Sequence, residues 1–437
     1  MLRWRGSFAA VSALVALGAL SAIGAARAGS SGAAGSSARA RLTLFYTPPV
    51  LARAGEHVRI PVDLVCATPR GQACSASLSV TAQTAGTTPH TIDAGPTHQR
   101  SIDLTRPASR VSAGGGSVAF SFLARAAGAT LAYPARGSQP LRFYVTGDMP
   151  GVAIPDVTFG QTAAGRTVLY LPWGSGSMHA GLQPGHESAT LGPSSFDVDA
   201  HGRILLLDSE QDRLAVFRNG RLIRQTRLPL SSDSDIATSS SGAAFIGDHR
   251  DGWVTVRCVS GRSVAPVAAI RSSLLGQIRT AGARAYVNVL PEDTWVAVDR
   301  PEAPRSVGLP AGHGRQLLRS GGAHRIRVGA VVHGLARGAV ELSTRRTLGE
   351  VAFVQMVRPG DYWIVAHPYR ERPTAADQFE AIHVVDGAVA RAFGIADRSF
   401  ADQRPLNRFR LVGRYLYQLV TSPDGMRIVR FDLGRES

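Results

Sequence analysis

Apolar and polar positions along this chain fall into short strand-like runs separated by turn residues. The clearest stretch is "SSFDVDAHGRILLLDSEQDRLAVFRNGRLIRQTRL", residues 194 to 228. It predicts four strands, "SFDVDA", "RILLLD", "RLAVF" and "LIRQTRL", joined by His201-Gly202, by a polar loop over 209–212 and by Asn219-Gly220. Asn-Gly suits a two-residue hairpin because both central residues must adopt positive φ. The pattern then repeats at a spacing of forty, through Gly202, Gly242, Gly282 and Gly322. On that spacing Asp208 recurs as Asp248 and Asn288, and the apolar pair Leu214/Val216 recurs as Val254/Val256 and Trp295/Ala297. No long helical period occurs after residue 30.

A period near forty with four strands per unit is the mark of a β-propeller. Units beginning near residues 194, 234, 274, 314, 354 and 404 predict six blades within 148–437, the later ones looser. "GRTVLYLPW" (165 to 173) precedes the first full unit and is predicted to pair with the last blade, closing the ring and removing an exposed edge. Residues 41–147 give six or seven short strands. In "HVRIPVDLV" the alternation places Val58, Ile60, Val62 and Leu64 on one face. That half predicts an immunoglobulin-like or fibronectin-like β-sandwich. The fold class is therefore all-β, an N-terminal β-sandwich followed by a six-bladed β-propeller, with "GDMPGVAIPD" as the junction.

The first residues change the expected location. Arg3 and Arg5, an apolar run from Phe8 to Ile23, and Ala26-Arg27-Ala28 predict a secretory signal over 1–28, cut after Ala28. An uncleaved anchor is the alternative, although the apolar core is short and rich in Ala and Gly. Residues 29–40 read as a flexible Gly/Ser/Ala linker. Export fits the cysteines: Cys66 and Cys74 bracket a loop and predict a local disulfide. No second Cys or His pair accompanies them to make a metal site. Cys258 falls within a strand and is expected to be a buried thiol.

All 48 basic residues are Arg, and the net charge is +16. Such a surface attracts anionic partners. The arginines are scattered without interleaved aromatics or a nucleic-acid motif, which argues against nucleic acid and leaves a generally basic surface as the plain reading. The expected partner is a protein, a polysaccharide or an anionic envelope polymer.

Residues 192 to 221, "GPSSFDVDAHGRILLLDSEQDRLAVFRNGR", resemble the NHL-repeat propellers. The matching positions are Pro193, Phe196, Asp199, Gly202, Asp208, Asp212, Arg213 and Phe217, with Asp212 in place of the usual Asn. The resemblance implies a propeller fold and leaves function open, because propellers host binding proteins and enzymes alike.

The loops between second and third strands are expected on one face of the ring. They bring Glu210, then His249 and Arg250, then Asn288, then His333, and finally His367, Tyr369, Arg370 and Arg372 to a candidate ligand face. Within the first loop, Asp208, Asp212 and Arg213 are expected to satisfy backbone groups and one another. No catalytic residue is assigned. The expected function is non-catalytic binding or scaffolding at the cell envelope, with no cofactor. The alternative is a calcium-dependent propeller hydrolase or lactonase acting on a sugar or lactone, for which Glu187, Asp248 and Asn288 are the available oxygen donors. The twelve dispersed histidines show no H-x-H or H-E-x-x-H spacing, so no metal is expected through histidine.

Overall fold

The structure is a computed structural model describing residues 24–27, 40–46, 51–56, 58–60, 62–68, 74–84, 88–97, 102–104, 116–133, 141–185, 189–272, 274–290, 294–299, 304–306, 309–310, 316–322, 324–370, 376–401 and 408–434. Strands dominate. From residue 151 onward they form six successive sheets. The first blade is Ser195–Val198, Ile204–Asp208, Arg213–Arg218 and Arg221–Arg227, each antiparallel to the next. Its last hairpin turns at Asn219 and Gly220, with φ of 51° and 74°. The second blade begins at Asp235–Thr238, the third at Leu274–Ala281, the fourth at Gln316–Gly322, the fifth at Thr347–Arg358 and the sixth at Phe409–Val412. These inner strands adjoin one another in a closed circuit, the third reaching the fourth through Leu309–Pro310. The fold is a β-propeller.

The burial explains the sequence pattern. Ile204–Asp208 is buried throughout, because its two faces meet two different neighbours. Leu205 and Leu207 pack with Ile236 and Ile246 of the second blade. Ile204 and Leu206 pack with Leu419, Met426 and Ile428 of the sixth. A strand covered on both faces reads as a continuous aliphatic run rather than an alternating one. The outer strand Arg221–Arg227 has one wet face and alternates strictly.

Two segments from before the first blade add outer strands to later blades. Arg166–Pro172 adds to the sixth blade beside Gly425–Asp432, as the sequence predicts. Gly151–Ala153, read from sequence as a plain junction, pairs in parallel with Leu335–Ser343 and becomes the outer strand of the fourth blade.

The N-terminal half holds a sheet of Gly24–Arg27, Arg41–Tyr46 and Val62–Ala67 and a larger sheet built around Ala76–Thr84 and Gly116–Ala126. Leu42, Leu44 and Leu64 of one pack with Val80, Phe120, Phe122 and Phe143 of the other. Cys66 and Cys74 are joined in a disulfide.

Three expectations need correction. "HVRIPVDLV" is not one strand: Val58–Ile60 pairs with Ile102–Leu104, whereas Val62–Ala67 pairs with Arg41–Tyr46. Gly202, Gly242 and Gly282 all occupy turns at positive φ, but Gly322 is a strand residue opposite Arg325, so the forty-residue register slips in the fourth blade. Cys258 lies in a strand as expected but is only half-buried. Separately, Gly24–Arg27 pairs antiparallel with Thr43–Tyr46.

The two halves meet at the fourth blade. Leu51, Tyr144 and Met149 pack on Ala336 and Ala339. Beside them Arg327 donates to both Glu56 oxygens at 2.7 and 2.8 Å and to Glu341 at 2.6 Å. Arg327→Ala should cost about 2 kcal/mol, the scale of lost hydrogen bonds between charged groups in a partly buried setting. Urea unfolding should show the loss, and a stability equal to the parent's would mean that this junction is not a stabilising contact.

Candidate functional site

The inner strands carry a cluster of buried charges. Asp197 of the first blade, Asp235 of the second and Arg410 of the sixth interact across the ring. Arg410 donates from Nε to Asp197 at 3.0 Å and from its two terminal nitrogens to the Phe409 and Ile236 carbonyls, both at 3.0 Å. The other Asp197 oxygen accepts the Thr238 amide at 2.6 Å and the Thr238 hydroxyl. Asp235 accepts the Ser195 hydroxyl at 2.6 Å and the Ile278 amide at 2.8 Å. All four carboxylate oxygens therefore already accept hydrogen bonds. This arrangement couples blades and offers no open coordination shell.

On the face of the propeller, the first-blade loop works the same way. Arg213 donates to Asp208 from Nε and Nη2 at 3.0 and 2.9 Å, and both side chains are fully buried. Arg213 also reaches the carbonyls of Gly176, Ser177 and His179, tying down the loop 174–181. The Gly181 amide donates to Asp208 at 3.1 Å. Asp212, at φ 49°, accepts the Leu230 amide at 2.9 Å. Burial pushes the Asp208 carboxyl above the usual range, against the opposing pull of Arg213.

A second cluster lies between the fifth and sixth blades, on the same face. His367 Nε2 sits 3.3 Å from Asp397 Oδ2 and 3.6 Å from Asp377 Oδ2. Arg408 donates to the other Asp397 oxygen at 2.7 Å. Burial alone would raise the Asp397 pKa, but the contacts with His367 and Arg408 outweigh it and hold the carboxyl well below the usual range. Nearby, Arg346 pairs with Glu380 at 2.6 Å and with Asp156 at 3.4 Å, while Arg346 and Arg370 lie over the Phe159 ring.

Burial pushes Glu380 up to about 7, with Arg346 opposing and Asp156 adding to the shift. A raised folded-state pKa means that the folded protein binds the proton more tightly than the unfolded chain does. The resulting stability is fully present below the unfolded carboxylate range and is lost as pH rises through about 7. Compared with Glu380→Gln, the parent should lose about 3 kcal/mol of relative stability across that window. Melting curves of the two proteins that shift in parallel over the whole window would contradict this.

The other predicted site residues are distributed as follows. Glu210 is half-buried against the 174–181 loop, and burial, then Asp208 and Asp212, raise its pKa while Ser209 opposes the shift. His249 Nε2 is 3.3 Å from the Ser272 carbonyl oxygen, and Arg250 is exposed with Nε 3.2 Å from Asp248. Asp248 accepts the Ser231 amide at 2.8 Å and the Ser234 hydroxyl at 2.7 Å. Asn288 is buried and packs so closely on Gly276 that a Cβ there would lie 1.9 Å from its Oδ1. Asp248 and Asn288 are thus engaged within their own blades. His333 is an exposed turn residue at φ 51°, followed by Gly334. His367, Tyr369 and Arg370 share the strand Asp361–Arg370. Arg372 and Glu187 lie outside the described residues.

Sequence reasoning did not single out Asp235, Arg410, Asp377, Asp397 or Arg408. Among the described residues, His367, Asp377 and Asp397 are the group of His, Cys, Asp or Glu whose donor atoms lie close enough for one metal ion, all within 4.8 Å. Also among the described residues, no helix is long and apolar enough to cross a membrane.

No protein-family model and no curated protein matches this chain. Solved structures do align with it. PQQ-bound aldose sugar dehydrogenase from Streptomyces coelicolor is 13% identical, covering 62% of this chain and 99% of its own, with a TM-score of 0.36. BamB from Moraxella catarrhalis is 12% identical over 61% of this chain and 99% of its own, at 0.29. A catalytically inactive virginiamycin B lyase from Staphylococcus aureus, solved with quinupristin, is 9% identical over 77% of this chain and 99% of its own, also at 0.29. At these scores the likenesses carry nothing about activity or partner, and the propeller assignment stands on the strand connectivity.

Proposed function

We propose that this chain is an exported, non-catalytic binding or scaffolding protein of the cell envelope. In this proposal a six-bladed, NHL-like propeller stands behind an immunoglobulin-like sandwich and binds through one face. The observation that carries the proposal is how that face is composed. Met178, Trp253 and Phe400 are exposed large apolar side chains in or beside its loops, and Arg250, Arg370 and Arg398 are exposed on the same side. Exposed aromatics among arginines are the composition of recognition surfaces, while the buried acids of the inner strands are engaged in structural bonds. The net charge of +16 favours an anionic polymer as the partner. The basic leader and the Cys66–Cys74 disulfide support export.

The test is binding of the full chain to poly(glycerol phosphate), with neutral dextran as control. Binding should weaken with added salt and fall at least about tenfold in the Arg250→Glu/Arg370→Glu double variant, since reversing two rim charges turns attraction into repulsion. Equal binding of the phosphate polymer and dextran, or no effect of the double variant, would remove the polyanion reading.

A further inference from the structure

We infer that His367, Asp377 and Asp397 form a binding site for a divalent transition-metal ion of the zinc class. The argument begins with the imidazole. His367 is 6% exposed, and its Nε2 is buried without a hydrogen-bond partner, although two carboxylate oxygens lie 3.3 and 3.6 Å away. A buried ring nitrogen that faces two carboxylate oxygens without an aligned hydrogen bond is poorly satisfied by an ordinary ion pair. It is well explained as one corner of a coordination shell. Zinc bound by one nitrogen and two oxygens at about 2.0–2.1 Å would hold tetrahedral donor atoms roughly 3.4 Å apart. The two His367 separations bracket that spacing.

The surroundings fit the same role. Arg408 donates to Asp397 Oδ1, which fixes the carboxylate and leaves Oδ2 as the oxygen nearest His367. Orientation of a ligand by a hydrogen bond to its far atom is how outer-shell partners tune metal sites. Phe379 packs on both His367 and Arg408, with the ring 4.6 Å from the imidazole and 4.7 Å from the guanidinium carbon. The side chains of His367 and Asp397 are buried, whereas that of Asp377 is 54% exposed, so the site is open to solvent on one side. Imidazole with two carboxylates favours zinc-class ions over calcium, which prefers six or more oxygens. The three ligands come from different segments around the fifth blade, which is why no spacing motif marks them. This inference is independent of the polymer-binding reading.

The test is calorimetric titration of chelator-treated full chain with Zn²⁺, in a Cys258→Ser background so that the free thiol cannot bind metal. One site per chain is expected. Asp377→Asn should weaken it at least about tenfold, the scale of lost metal-site interactions, and His367→Gln should abolish it. Asp377 is exposed, so its variant should melt like the parent without metal, and Asp377→Glu should recover part of the affinity. Cobalt(II) should give a visible absorption band of a low-coordinate ion, absent from His367→Gln. Failure of the parent to bind Zn²⁺, or equal binding by the parent and both loss variants, would overturn the inference. Calcium binding to these residues in preference to zinc would overturn the assigned class.

Discussion

Replacing Arg410 by Ala should cost about 3–5 kcal/mol, the scale for removing one partner of a buried ion pair. The truncation removes two hydrogen bonds that link the sixth blade to the first and second, and a third to the adjacent Phe409 carbonyl. It also leaves Asp197 and Asp235 buried without the guanidinium. For a domain of this size the loss should appear as a fall of roughly 10 °C in melting temperature. A double-mutant cycle with Asp197→Asn should give a combined loss smaller than the sum, because neutralising the aspartate removes the charge that the missing arginine would strand. A loss below about 1 kcal/mol would place Arg410 among surface charges, where ion pairs contribute little.

Arg213→Ala should be nearly as damaging, for a related reason. Asp208 would keep the Gly181 amide but lose both bonds from the guanidinium, and it has no access to water. Breaking such a pair costs about 3–5 kcal/mol. The carbonyls of 176, 177 and 179 would lose their donor together, so the loop 174–181 should become protease-sensitive below the temperature of global unfolding. The sign of the pH dependence distinguishes this account from simple loss of packing. Asp208 already has a raised pKa from burial, and removing Arg213 raises it further. The variant's deficit should therefore shrink as pH falls into the carboxylate range, where protonation removes the stranded charge. Arg213→Lys should recover little, because an ammonium cannot reproduce the fork. A deficit independent of pH would contradict this role for the pair.

Local features were legible in the sequence wherever one residue type is needed for one backbone shape. Asn219-Gly220 announces its turn, and Gly202, Gly242 and Gly282 mark the hairpins of three blades. Asp208, Asp212 and Arg213 lie within six positions of one another, so their mutual engagement could be anticipated. Long-range pairings could not. Arg410 and Asp197 are 213 positions apart and meet only once the ring closes. Gly151–Ala153 has no strand-like pattern, and it becomes a strand because Leu335–Ser343 offers an unpaired edge. The fourth blade lost its register because its hairpin falls after Gly322, so the column containing Asp208, Asp248 and Asn288 cannot be extended by counting. His367, Asp377 and Asp397 likewise come together through blade geometry rather than sequence spacing.

The central claim is that the acids and amides of the inner and second strands are engaged in holding the fold, between blades or within them, and that binding belongs to the face. Melting of the full chain with and without millimolar calcium tests it directly. With Asp197, Asp235, Asp248 and Asn288 engaged inside the fold, calcium should leave the melting temperature unchanged. A ligand that binds only the folded state at a hundred times its dissociation constant adds about 2.7 kcal/mol of stability. A rise of that size with calcium, abolished by Asn288→Ala or Glu187→Gln, would contradict the account and favour the calcium-dependent hydrolase.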